Sequence, residues 1–199
     1  MKIIGLTGGI STGKSTVIKW FLEDGIPVLD ADAIVHGLQQ PGTELLRQIE
    51  EVFGGVMLNP DGSLNRQALG QLIFTDETAK ETLNQLIHPL VRDALNQGIE
   101  TARSKGEKII VLDVPLLFES GFETLVDEVV VVYAPREVQL ARLMERDGID
   151  EAYAKAKIAS QGCLEDKRKR AHYVLDNGGS LEGLRREYEK LKEVLKWDF

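Results

Sequence analysis

Five short apolar runs divide this chain of 199 residues, at 2–6, 27–30, 108–113, 128–133 and 173–175. Most are continuously apolar rather than alternating, the pattern of parallel strands covered on both faces. Between them apolar residues recur at helical spacing, over 15–23, 43–53, 66–74, 77–103, 135–146 and 150–170. Pro135 suits a first helical position. A closing helix is expected after Ser180, a good N-cap, with Leu181, Leu184, Tyr188, Leu191 and Leu195 along its buried face. Strands alternating with helices predict an α/β fold on a doubly wound, five-stranded parallel sheet.

The spacing of the runs is uneven. Residues 31–107 carry no strand-like run, and a connection that long predicts a helical insertion rather than a loop. Pro60-Asp61-Gly62 should break it and His88-Pro89 should soften it. We expect one unit with its core at 1–35, 105–135 and 172–199, an insertion at about 36–104, and a basic helical region at about 136–171. In a phosphotransferase, insertions at these two places serve as an acceptor-binding part and a closing lid.

Gly8-Gly9-Ile10-Ser11-Thr12-Gly13-Lys14-Ser15 fits the phosphate-loop pattern G-x-x-x-x-G-K-[ST], between the first apolar run and the first helical stretch. Gly8, Gly9 and Gly13 let backbone N–H groups close on phosphate oxygens, where a β-carbon would intrude. The following helix turns its positive end toward the same anion. Lys14 is expected on the β- and γ-phosphates, the Ser15 hydroxyl on magnesium, and Thr16 on the α-phosphate. The rival is a glycine-rich turn opening an ordinary helix.

Bulk numbers narrow the class. Hydrophobic content of 43% and charged content of 28% suit a globular chain, and a net charge of −8 argues against a nucleic-acid surface. No stretch reaches the length of a membrane span, and the chain runs straight into its first strand without a signal-peptide pattern, so a cytoplasmic setting is expected. A single cysteine, Cys163, excludes an internal disulfide, and three scattered histidines argue against zinc. A monomer or a weak homo-oligomer is expected.

Asp30-Ala31-Asp32 closes the second run, where open α/β sheets bind ligands. One carboxylate is expected to cap the next helix, while Asp32 is the candidate general base for an acceptor hydroxyl. Asp113 ends the third run and reads equally as a second magnesium carboxylate or a structural cap. Arg142 and Arg146 share a helix face, suited to closing over a triphosphate or to pairing with Glu145 and Asp147 in solvent. The run Lys167-Arg168-Lys169-Arg170 reads as a solvated face. For His88 and Arg66, spacing alone does not separate a binding role from a structural one.

Together these segments resemble the dephospho-coenzyme A kinase family. The matches are Leu6-Thr7-Gly8-Gly9-Ile10, Gly13-Lys14-Ser15-Thr16-Val17, Asp30-Ala31-Asp32, Leu72-Ile73-Phe74, Ile87-His88-Pro89 and Asp113-Val114-Pro115-Leu116-Leu117-Phe118-Glu119. Further on come Arg142-Leu143, Arg146-Asp147, Ile158-Ala159-Ser160-Gln161, Lys167 and Asp176-Asn177-Gly178. The resemblance implies ATP-dependent phosphorylation of the ribose 3′-hydroxyl of dephospho-coenzyme A, with Mg2+. It implies Asp32 as base, Lys14 and Ser15 as phosphate and magnesium groups, and Arg142 as a lid arginine. ATP would also meet Gly8 to Val17, Asn177 and Gly178. Thr7, Asp32, Arg66, His88, Leu116, Leu117 and Glu119 would line the acceptor site.

Three departures from that pattern stand out. Ser11-Thr12 replaces a common small residue followed by serine, Lys157 replaces a frequent arginine, and His172 replaces a common aspartate. A nucleoside monophosphate kinase would share the core and lid. A GTPase switch would need Asn-Lys-x-Asp, which does not occur, and a non-catalytic module would not need Lys14, Ser15 and Asp32 together.

Overall fold

The computed structural model describes residues 1–196. Its strands are β1 (Lys2–Gly8), β2 (Val28–Asp30), β3 (Ile109–Asp113), β4 (Glu128–Tyr133) and β5 (Tyr173–Asp176), one at each apolar run. They form one parallel sheet in the order β2-β3-β1-β4-β5. β1 lies centrally, Leu6 beside Asp113 of β3 and Gly8 beside Val132 of β4. The helices are α1 (Lys14–Glu23), α2 (Ala31–Leu38), α3 (Glu44–Phe53), α4 (Arg66–Thr75), α5 (Glu77–Ser104), α6 (Arg136–Asp147), α7 (Glu151–Ala159), α8 (Leu164–Arg170) and α9 (Leu181–Leu195). The chain divides into two compact units, Met1–Leu29 with Thr101–Phe199, and Asp30–Glu100.

In the first unit, Val17 and Phe21 of α1 and Leu184, Tyr188, Leu191 and Leu195 of α9 pack on Ile4, Leu6, Val111, Val130, Val132 and Leu175 of the sheet. Burying each such aliphatic side chain contributes roughly 1.5–3 kcal/mol. The Tyr188 ring meets Phe21 edge-on at 5.2 Å, and its hydroxyl donates to Asp24 at 2.7 Å. Ser180 caps α9 by accepting from the Gly183 N–H at 3.2 Å. Leu181 is exposed, because the apolar stripe enters the core one turn later, at Leu184. Pro135 stands just before α6 with ψ 149°, so it precedes the helix instead of opening it. The expected helix over 150–170 is two helices, α7 and α8, separated at 160–163. Gly162 lies in that break, where a β-carbon would press on the Glu119 carboxylate and make it shift.

In the second unit, Leu45, Leu46, Ile49, Leu69 and Leu83 form a separate core from α3, α4 and α5. Thr43 and Asn65 cap α3 and α4 through Leu46 and Ala68 N–H groups. Pro60-Asp61-Gly62 makes the expected break, a turn closed by the Asn59 N–H on the Ser63 carbonyl at 2.8 Å. Helix α5 runs on through Pro89.

Candidate active site

The phosphate loop bridges β1 and α1, and its glycines are set by close neighbours. A β-carbon on Gly8 would lie 2.8 Å from the Val132 carbonyl oxygen, and one on Gly9 2.7 Å from Gln139 Oε1. Gly13 has φ 94°, and a β-carbon there would collide with the Asn177 amide nitrogen. Buried Thr12 closes the turn from both its N–H and its hydroxyl onto the Gly9 carbonyl, at 3.3 and 2.9 Å. The loop is pinned from outside as well. Asn177 Nδ2 donates to the Thr12 carbonyl at 2.8 Å, and the Ile10 N–H donates to Gln161 Oε1 at 2.7 Å. A cleft of about 380 Å³ opens beside Gly9, lined also by Arg136, Gln139 and Gln161.

At the end of β3 the Asp113 carboxylate forms an ion pair with Lys14. The segment after Asp113 forms turns, so no helix begins there for it to cap. Ser15 is exposed in the first turn of α1, while the Val17 side chain is fully buried in the core and its N–H bonds the Gly13 carbonyl. Among the described residues no three His, Cys, Asp or Glu side chains cluster as a metal cage. One serine hydroxyl and one carboxylate do suit magnesium, which takes few protein ligands and keeps phosphate and water oxygens.

Beyond β2, Asp30 accepts from the Ala33 N–H at 3.0 Å and so caps α2. The capping role therefore falls on Asp30, and Asp32 stands in the first turn of α2. Arg66 opens α4 and donates from Nη1 to Gln39 Oε1 at 2.8 Å. His88 is half-buried in α5; burial, then the charge of Arg92, push its imidazole below its usual value of 6.5.

The turn segment after β3 is tied down by one carbonyl. Pro115 O accepts from buried Thr7 Oγ1 at 2.9 Å and from Lys167 Nζ at 2.8 Å. Lys167 is only 3% exposed and also pairs with Glu119 at 3.0 Å. This corrects the solvated-face reading at Lys167, while Arg168, Lys169 and Arg170 are exposed as that reading expects. Consecutive residues point in different directions around a helix, so Lys167 of α8 turns inward. Arg168 stacks on Tyr133 at 4.4 Å and Arg170 on Phe118 at 4.0 Å, both still exposed to solvent, as is Lys169. Leu117 is fully buried and Leu116 exposed.

On α6, Arg142 Nη2 donates to the Gly179 carbonyl at 3.3 Å, while its buried Nη1 has no hydrogen-bond partner. Arg146 takes the solvent reading and pairs with Asp147 at 2.7 Å. Lys157 reaches the same carboxyl at 2.9 Å; the two hydrogen bonds, that from Arg146 foremost, hold Asp147 well below the usual carboxylate range. His172 Nδ1 accepts from the Val129 N–H at 3.0 Å, a structural tie between the segment before β5 and β4. Asn177 is buried beneath the loop, and the Gly178 N–H bonds Asp176 at 2.7 Å. Gln161, Gln139 and the inward Lys167 escape sequence reasoning about function, because their contacts join residues far apart in the chain.

A family model described as CoaE, dephospho-CoA kinase, matches residues 2–183. A dephospho-CoA kinase of Symbiobacterium thermophilum is 48% identical over 189 residues, covering 95% of this chain and 79% of that protein. One of Anaeromyxobacter dehalogenans is 46% identical over 196 residues, covering 98% and 93%. Among solved structures, a dephospho-CoA kinase of Campylobacter jejuni superposes with a TM-score of 0.73 at 30% identity, covering 98% of each chain. A shikimate kinase of Bacteroides thetaiotaomicron, at 18% identity and a TM-score of 0.52 over 98% of each chain, shares the fold.

Proposed function

The chain belongs to the dephospho-CoA kinase family, and from that premise we propose how its own residues carry the reaction. It is a kinase that transfers the γ-phosphoryl group of ATP to the ribose 3′-hydroxyl of dephospho-coenzyme A, giving coenzyme A and ADP, the last step of coenzyme A synthesis. The match over residues 2–183, with an intact phosphate loop inside it, carries this reading.

ATP lays its phosphates in the turn from Gly8 to Thr16, against the N–H groups at the start of α1. Lys14 leaves Asp113 for the β- and γ-phosphates, exchanging one anionic partner for another. Ser15 and Asp113 would hold magnesium, which would supply charge neutralisation at the phosphates. Asp32 takes the proton of the 3′-hydroxyl as that oxygen attacks phosphorus and the bond to ADP breaks. Arg142 brings a cation with an unfilled Nη1 to the charge in transfer. Thr7, Arg66, His88, Leu116 and Glu119 serve the acceptor, with 36–104 as its binding part and 136–171 as the lid. Leu117 and Asn177, both buried, act through the turn segment and the loop they support. Among the described residues no helix is long and apolar enough to cross a membrane.

Asp32→Asn tests the assignment. As a general base its loss should lower kcat by roughly 10²–10⁴-fold with little change in KM for ATP. A loss below about tenfold would leave Asp32 with a local structural role in α2.

A further inference from the structure

Ser11 lies in the middle of the phosphate loop with φ 57°, and among the described residues Lys196 alone shares a positive φ without being glycine. The Thr12 N–H on the Gly9 carbonyl makes Ser11 the third residue of a tight turn. With a positive φ there, the turn is of the kind that favours glycine or asparagine. A serine held in that region stores backbone strain.

The side chain adds a second cost. Ser11 Oγ is shut away from water and has no hydrogen-bond partner. Buried hydroxyls are normally satisfied, so an orphan calls for an explanation. The nearby carbonyl of Gly9 is already taken twice by Thr12, and the Ile10 N–H is taken by Gln161. What arrives in this loop is a phosphate, which only accepts hydrogen bonds, and a hydroxyl can donate one. Strain and an unfilled polar group together in a binding loop are the mark of a side chain kept for its ligand.

We propose that the Ser11 hydroxyl is a catalytic residue, donating a hydrogen bond to the phosphoryl group in transfer after a turn about χ1. The inference rests on the assignment of this loop as the ATP site and deepens it. The donor acts where charge develops, so it should favour turnover more than ATP binding.

The test uses the full chain with ATP, magnesium and dephospho-coenzyme A, and compares wild type with Ser11→Gly and Ser11→Ala. Glycine removes both hydroxyl and strain, whereas alanine removes the hydroxyl and keeps the strain. Both variants should lose roughly 10–100-fold in kcat, with KM for ATP changing by less than about threefold. In nucleotide-free thermal melts Ser11→Gly should gain roughly 2–4 °C over Ser11→Ala. A protein that is more stable and slower is not the product of structural damage. If Ser11→Gly keeps kcat within about twofold of wild type, the hydroxyl is not a catalytic donor, even where Ser11→Ala is slow. An active wild type beside an unimpaired Ser11→Gly overturns this inference alone, whereas an inactive wild type overturns the site assignment and this inference with it.

Discussion

Gly13→Ala offers a quantitative test of how the phosphate loop is held. Gly13 has φ 94°, where a β-carbon costs about 1–2 kcal/mol in backbone strain. The new methyl would also fall on Asn177 Nδ2, which donates to the Thr12 carbonyl at 2.8 Å from a buried position. Moving that amide breaks the bond and strands buried polar groups, at a cost of about 1–3 kcal/mol. The single variant should therefore lose about 2–5 kcal/mol. Asn177→Ala alone loses the same hydrogen bond, again about 1–3 kcal/mol. In the double variant the collision no longer exists and only the strain adds, so the total should be about 2–5 kcal/mol rather than the larger sum of the singles. The assay is urea unfolding of the four proteins at equal m-value. A double variant additive within about 0.5 kcal/mol would show that Asn177 and Gly13 do not meet as described.

Two further outcomes follow from named contacts. Lys167→Met should cost about 1–3 kcal/mol, less than for a fully buried pair because Glu119 is one-third exposed and can rehydrate. It should raise KM for the acceptor several-fold while leaving KM for ATP near wild type; equal shifts in both would count against Lys167 as the residue that positions the 115–119 segment. Burial pushes the Asp24 carboxyl up, but hydrogen bonds from Lys192 and Tyr188 outweigh it and hold the group below its ordinary 3.8. The stability from these bonds is complete above that value and drains away as pH falls through the folded one, so melting temperatures below about pH 4 should drop more steeply for wild type than for Asp24→Asn, and parallel curves would contradict it.

The parts of the molecule legible in the sequence are those with a local signature. Each apolar run became a strand, the three inner ones buried along most of their length, and the loop motif sits at the end of the central strand. The cap before the last helix was legible for the same reason, since Ser180 and Gly183 are three residues apart. Direction around a helix was not. Lys167 and Lys169 look alike in a run of four basic residues, and only the turn segment packed against α8 makes one buried and the other solvated. The braces on the phosphate loop were invisible too, because Gln161 reaches Ile10 and Asn177 reaches Thr12 from the far end of the chain. Between Asp30 and Asp32 the sequence left the capping role open, and it was decided by a single N–H, that of Ala33.

The acceptor is the most direct point at which the proposed activity can fail. Dephospho-coenzyme A carries an adenosine, a diphosphate and a pantetheine arm, and binding the remote parts should help to place the ribose hydroxyl, so truncation costs kcat as well as affinity. ADP release would be followed with ATP and magnesium across dephospho-coenzyme A, adenosine, AMP, CMP, UMP and dTMP. Dephospho-coenzyme A should be phosphorylated far faster than adenosine or AMP, with the pyrimidine nucleotides nearly inert. A nucleoside monophosphate turned over faster than dephospho-coenzyme A would contradict this and mark the chain as a nucleoside monophosphate kinase.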